Sequence, residues 1–365
     1  MARLVAPTLT GLRYDTWNFG DSVGFEAMLA AADLLDEQRW SYFGWGWARA
    51  WASRSTPFVR QDCTAPGLAI TALAQRFGDG VLLDAAVALA RFLMSRPVLR
   101  GVYQTSVQAP LQQPCGPAQL DPAGAAMLAD PPAGVFVDCL HFDPPFFAAL
   151  AAATGDLAFA DAALTQACGY LTALGRPDGL FDHFLLQGID GRFGRGWGRG
   201  QGWAMLGLLD VVEQLAPLVG LLSDDQNAAL TRIGAAAAAL VTAMVRLQRP
   251  DGHWPIVITD PTSGDESSTA AFMAAGFHRA LQLRIVTGPG VERAATAAYA
   301  AMWSAVDDIG TLTGVSAAVN ACTDDSHYAH VPTGFRVPWG QGPVLLAAAA
   351  RAGWLERVDG QIATR

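Results

Sequence analysis

The chain has 365 residues, 52% hydrophobic and 16% charged, with 33 acidic against 24 basic side chains and a net charge of −9. That balance argues against nucleic acid or an anionic membrane surface as partner. All 24 cations are arginine, so Schiff-base chemistry and the phosphate-gripping lysine of a Walker loop are both excluded.

The five cysteines, Cys63, Cys115, Cys139, Cys168 and Cys322, are scattered, odd in number and never paired as C-x-x-C, which reads as reduced packing thiols. The opening residues carry too short an apolar run for a secretory segment, and nothing later approaches the roughly 18 apolar residues of a membrane span. No low-complexity linker divides the chain. The expectation is one soluble, cytoplasmic domain over residues 1–365, a monomer or homodimer.

Apolar residues recur at three-and-four spacing, which predicts helices over 22–36, 39–52, 67–77, 81–94, 145–154, 157–174, 203–215, 224–247, 269–285, 291–306 and 342–352. Strand-like alternation is confined to short pieces such as 254–259. Turns of Gly-Asp type recur, with Asp79, Asp156 and Asp224 as helix caps. Hairpins repeating every ~45 to 75 residues predict an all-α fold, a closed toroid of six hairpins whose inner helices begin near 22, 67, 145, 203, 269 and 342. Every helix but the first of twelve is visible, and that one is expected to be missing or supplied by the C-terminal tail.

The long connections, 53–66, 95–144, 175–202, 248–268 and 307–341, each lead into an inner helix and should share one end of the toroid. They hold every histidine except His278, and long loops of this kind are usually functional.

Within them, Gly194-Arg-Gly-Trp-Gly-Arg-Gly-Gln-Gly-Trp203 combines five glycines with Trp197, Arg199, Gln201 and Trp203. Indole faces stack on sugar C–H surfaces and a guanidinium matches a carboxylate, so the stretch suits an acidic sugar. No Gly-x-Gly-x-x-Gly or preceding strand supports a nucleotide cradle. Asp138 lies in Val135-Phe-Val-Asp-Cys-Leu-His141, with His141 just after it. Apolar flanks suit a carboxyl that must carry a proton into a reaction, and equally an aspartate satisfied by backbone amides. Asp143, before Pro144, reads as a helix cap. Asp62 also fits a cap, and His183, after the turn 176–179, reads as either a hydrogen-bonded structural residue or a catalyst. No His/Glu pair at metal-ligand spacing lies on a helix, and no Gly-x-Ser-x-Gly elbow occurs, so neither a metal site nor a serine hydrolase is expected.

Several separated stretches resemble the unsaturated rhamnogalacturonyl hydrolases of glycoside hydrolase family 105 and, more distantly, the unsaturated glucuronyl hydrolases of family 88. They are Asp62-x-x-Ala-Pro-Gly67, Val137-Asp-Cys-Leu140 with Pro145-Phe-Phe147, Gly179-Leu-Phe-Asp-His183, Trp197-Gly-Arg-Gly-Gln-Gly-Trp203, Glu266-Ser-Ser-Thr-Ala270 and Gly340-Gln-Gly342. The resemblance implies an (α/α)6 barrel, in agreement with the hairpin count. It implies Asp138 as general acid/base, Asp62 as its acidic neighbour, and His183 beside them. Trp197, Arg199, Gln201, Trp203 and His141 would bind substrate. The implied reaction removes a terminal 4,5-unsaturated uronic acid from a small acidic oligosaccharide by hydration of its vinyl ether, without metal or organic cofactor. The chain departs from the family in lacking a His or Lys at 101–105, and in having Gly198 and Gln201 where Ala and Asn are usual. The alternatives are another toroid enzyme acting on carbohydrate (a lyase, an inverting glycosidase or an epimerase) and a non-catalytic sugar-binding protein.

Overall fold

The computed structural model describes residues 1–14, 17–54, 57–105, 112–117 and 119–363. In chain order the helices are α1 (Ala2–Thr10), α2 (Asp21–Leu35), α3 (Arg39–Ala52), α4 (Gly67–Phe77), α5 (Gly80–Met94), α6 (Pro122–Ala129) and α7 (Cys139–Thr154). Then follow α8 (Leu157–Ala173), α9 (Gly198–Leu215), α10 (Asp224–Arg246), α11 (Ser268–Gln282), α12 (Pro289–Ser304) and α13 (Pro338–Ala363). The strands are short antiparallel pairs: β1 (Val98–Leu99) with β2 (Val102–Tyr103), and β3 (Gly134–Phe136) with β4 (Phe184–Leu186).

Six helices close a ring: α2 packs on α4, α4 on α7, α7 on α9, α9 on α11, α11 on α13, and α13 back on α2. Helices α3, α5, α8, α10 and α12 form the outer layer, each antiparallel to an inner neighbour, and the fold is an (α/α)6 barrel. The sequence pattern explains the two layers. Inner helices are apolar nearly all round: every residue from Cys139 to Ala151 is buried. The outer α10 buries only Ile233, Ala237, Leu240, Val241, Ala243 and Met244.

The twelfth helix is α1, which packs on α13 and α2, so the outer layer is completed from the N-terminal side and not by the tail. Ala2, Val5, Ala6 and Leu9 give it a buried stripe, but Pro7 lies inside it, and an internal proline reads as a breaker. Three inner helices begin four to six residues before the expected positions, at Cys139, Gly198 and Pro338. Asp143 therefore does not cap a helix: it is buried within α7, ion-paired with Arg96. Asp79 and Asp156 are N-caps, whereas α10 is capped by Ser223 in a capping box with Gln226 and not by Asp224. Contrary to expectation, α10 is also long and apolar enough, by length and composition, to cross a membrane. Its apolarity is largely alanine, and its buried stripe faces α8 and α9.

Close approach of the inner helices requires small residues. A Cβ on Gly202 would lie 2.5 Å from the Phe272 ring, and one on Gly207 only 2.3 Å from the Leu140 carbonyl oxygen. Where four inner helices converge, charged groups meet on the ring axis: Glu26 of α2, His141 of α7, Asp210 of α9 and Arg279 of α11. His141 Nε2 is 3.1 Å from Glu26 Oε1 and its Nδ1 is 3.4 Å from Asp210 Oδ2. Arg279 Nη2 lies 2.5 Å from Asp210 Oδ1. Burial opposes charge on the imidazole, but the two carboxylates outweigh it and push its pKa up to about 10.

Gly207→Ala tests the α7–α9 contact. The added methyl meets backbone, which cannot rotate away, so stability should fall by about 1–3 kcal/mol in chemical denaturation.

Candidate active site

The pairing of β3 with β4 sets the site. Gly134 faces Leu186, Val135 faces Leu185 and Phe136 faces Phe184, and the ladder continues as Val137 N–H donates to the His183 carbonyl at 2.8 Å. The next residue on one side is Asp138, which therefore lands beside His183. His183 Nε2 is 3.3 Å from Asp138 Oδ2. Asp138 immediately precedes α7, yet its side chain accepts no capping hydrogen bond from that helix. Among the described residues, its carboxylate is thus not taken up by the α7 amides that a capping aspartate would serve.

The His183 ring is fixed from two other sides. It lies 4.4 Å from the Trp197 ring, and its Nδ1 is 2.6 Å from the Tyr328 hydroxyl. Burial holds the Tyr328 phenol well above its ordinary pKa, so the hydroxyl beside Nδ1 keeps its proton. The contact with Tyr328 on Nδ1 leaves Nε2 as the ring nitrogen that faces Asp138. Tyr328 belongs to a short 3-10 turn, Asp325–His330, tied to the Gly194 amide by Asp325 Oδ1 at 3.0 Å.

These groups open into a cavity of about 410 Å³ at the N-terminal ends of the inner helices, a size suited to a small ligand. Trp17, Phe19, Phe136 and Trp197 give it aromatic walls, and Asn18, Thr64, Thr105 and Asn320 give neutral polar groups. Among the described residues lining it, Asp138 is the single carboxylate, and there is no arginine.

Residues 8–353 match the family model described as Glycosyl Hydrolase Family 88. The chain belongs to glycosyl hydrolase family 88. A curated relative, the unsaturated rhamnogalacturonyl hydrolase YesR of Bacillus subtilis (strain 168), is 28% identical over 149 residues. That alignment takes in 41% of this chain and 39% of YesR's length. A structure from Klebsiella pneumoniae described as a possible member of GH105 has a TM-score of 0.78 at 20% identity, covering 96% of this chain and 91% of the other. The unsaturated glucuronyl hydrolase of Bacillus sp. GL1 has a TM-score of 0.67 at 17% identity, covering 93% and 87%. At such identities the structural likeness speaks for the fold.

In this family 88 chain Asp138, His183 and Trp197 line the cavity. The other residues expected at the site do not, which corrects the reading of them as mouth residues. Asp62 is buried, accepting from Val59 N at 2.6 Å and Trp51 Nε1 at 3.0 Å, with Arg54 Nη2 at 2.5 Å; it steadies the 3-10 turn 60–64, and Cys63 and Thr64 face the cavity instead. His141 is on the ring axis. Because α9 begins at Gly198, Arg199, Gln201 and Trp203 are helical residues turned into the core and not loop residues open to a ligand. Arg199 is held by Glu266 at 3.3 Å, Ser316 Oγ at 2.6 Å and the Ala317 carbonyl at 2.9 Å. Gln201 clamps both backbone groups of Phe181 and the Trp197 carbonyl. Trp203 packs between His141 and Phe272.

The sequence reading missed Trp17, Asn18 and Phe19. They lie in the sixth connection, between α1 and α2, which vanishes from view once α1 is not recognised. Tyr328 was missed because its role exists only through contact with His183, 145 residues away.

Arg199→Met should leave the Glu266 carboxylate buried without its cation and cost about 3–5 kcal/mol in denaturant unfolding. Asp138→Asn, beside a solvent-reached cavity and with no arginine to abandon, should cost far less in the same measurement.

Proposed function

We propose that this chain removes a terminal 4,5-unsaturated uronic acid from an oligosaccharide by hydrating its C4=C5 bond, with Asp138 as both acid and base. Family membership and the activities named for YesR and the Bacillus glucuronyl hydrolase support the substrate class. The observation that carries the mechanism is the lone carboxylate in the cavity. An inverting glycosidase needs a second carboxyl about 6.5–9.5 Å from the first, with room for water between. Asp62, the candidate partner, has its oxygens engaged away from the cavity.

The steps balance with one carboxyl. Protonated Asp138 delivers its proton to C4, and positive charge develops at C5 and the ring oxygen. Water adds to C5 while the carboxylate takes up its proton, which restores the acid. The hemiketal opens and releases the remaining sugar, so the net change is addition of one water. Proton transfer from a positioned acid contributes on the order of 10²–10⁴-fold. His183 orients Asp138 through Nε2, and Trp197, Trp17 and Phe19 offer faces for the sugar ring. With Arg199 committed to Glu266, the substrate carboxylate is met by the neutral donors of Asn18, Asn320 and Thr105.

The conjugated C4=C5 bond absorbs in the ultraviolet, so incubation with a panel of lyase-generated unsaturated oligosaccharides should bleach it. Asp138→Asn should slow the bleaching by about 10²-fold or more. Absorbance that stays flat with wild type across the panel refutes the proposal. Absorbance that rises on intact acidic polysaccharide refutes it in favour of a lyase.

A further inference from the structure

We infer that Glu26, His141 and Asp210 form a binding site for one divalent transition-metal ion of the zinc class on the barrel axis, apart from the cavity that holds Asp138. The donors come from three inner helices, α2, α7 and α9. One ligand atom from each lies within 4.8 Å of the others. One imidazole and two carboxylates are a donor set of the kind zinc accepts with three protein ligands and an open fourth position; the ion would take one ring nitrogen and release to solvent the proton that the two carboxylates otherwise hold on the ring.

A second observation points to an ion there. Glu26 Oε1, both ring nitrogens of His141 and Asp210 Oδ2 are buried without a hydrogen-bond partner. They face one another at 3.1 and 3.4 Å, but outside hydrogen-bond alignment. Buried polar atoms left in that state call for a ligand or ion. His141 itself is 1% exposed.

The surroundings are those of a prepared site. Arg279 holds Asp210 Oδ1 and leaves Oδ2 turned toward His141, the outer support that orients a ligating carboxylate. The Trp203 ring lies 5.4 Å from the imidazole and fixes its plane. A second cavity of about 320 Å³ is lined by Glu26, Asp210 and Arg279 and extends to Gln214 and Gln282 near the C-terminal ends of α9 and α11. It gives an ion and its remaining waters a route in that does not pass the substrate. A bound ion would tie three inner helices together and stabilise the barrel by mass action.

The site is independent of the hydration chemistry, and its test uses no activity. Wild-type protein freed of metal by chelation is titrated with Co²⁺, read by visible d–d absorption, and with Zn²⁺, read by calorimetry and Tm. One ion per chain with a raised Tm is expected, and His141→Gln or Glu26→Gln should weaken binding by roughly 10–100-fold or more. No cobalt spectrum with an unmoved Tm overturns the inference and leaves the cluster an imidazolium ion pair. Unchanged affinity in a folded His141→Gln protein overturns it too, by placing the ion on surface groups such as His253 or His330. If neither variant folds, a zinc-edge anomalous map of wild-type crystals decides: a peak among the three side chains supports the site, and its absence refutes it.

Discussion

The mouth of this barrel depends on the register of two three-residue strands. Val137 N–H reaches the His183 carbonyl only because Phe136 is opposite Phe184. A one-residue slip would turn alternate side chains to the other face and separate Asp138 from His183. Such short strands cannot hold a register by themselves. Theirs is held because β3 leads directly into α7 and the chain after β4 leads into α9, and those helices pack at a distance allowed by Gly207. The separation of acid and histidine is therefore inherited from the barrel wall.

Four buried carboxylates elsewhere in the chain are matched by arginine: Asp143 by Arg96, Glu266 by Arg199, Asp210 by Arg279, Asp62 by Arg54. The planar guanidinium satisfies several acceptors at once and keeps its charge when buried, which suits a chain whose cations are all arginine. Asp138 is the exception at the cavity. Its partner is a histidine, itself held by Tyr328, and among the described residues no arginine stands at salt-bridge distance.

Two polar centres thus occupy one barrel with different exposure. Asp138 and His183 look outward between aromatic walls, and the Glu26–His141–Asp210 group is enclosed by four inner helices. Asp138 and His141 are three residues apart in the chain. At this spacing both lie on one face of α7, and they differ in depth: Asp138 is the residue before the helix, at the mouth, and His141 is a turn further along, at the axis.

The spacing of apolar residues was enough to place eleven of the helices, all but α1 and α6, and with them the hairpins and the toroid, because amphipathic periodicity is local. The cluster of functional residues in loops before inner helices was legible for the same reason, and Asp138, His183 and Trp197 do line the cavity. Where α9 begins was not legible. Glycines at 198, 200 and 202 read as loop, yet they lie in α9, where a Cβ would collide with Thr269, Trp197 and Phe272, and the helix turns Arg199, Gln201 and Trp203 into the core. Nor could the sequence show that Asp62 faces Arg54 and Trp51, or that Glu26, His141 and Asp210 converge across the axis. Those pairings join residues far apart in the chain, and only closure of the ring brings them within reach of one another.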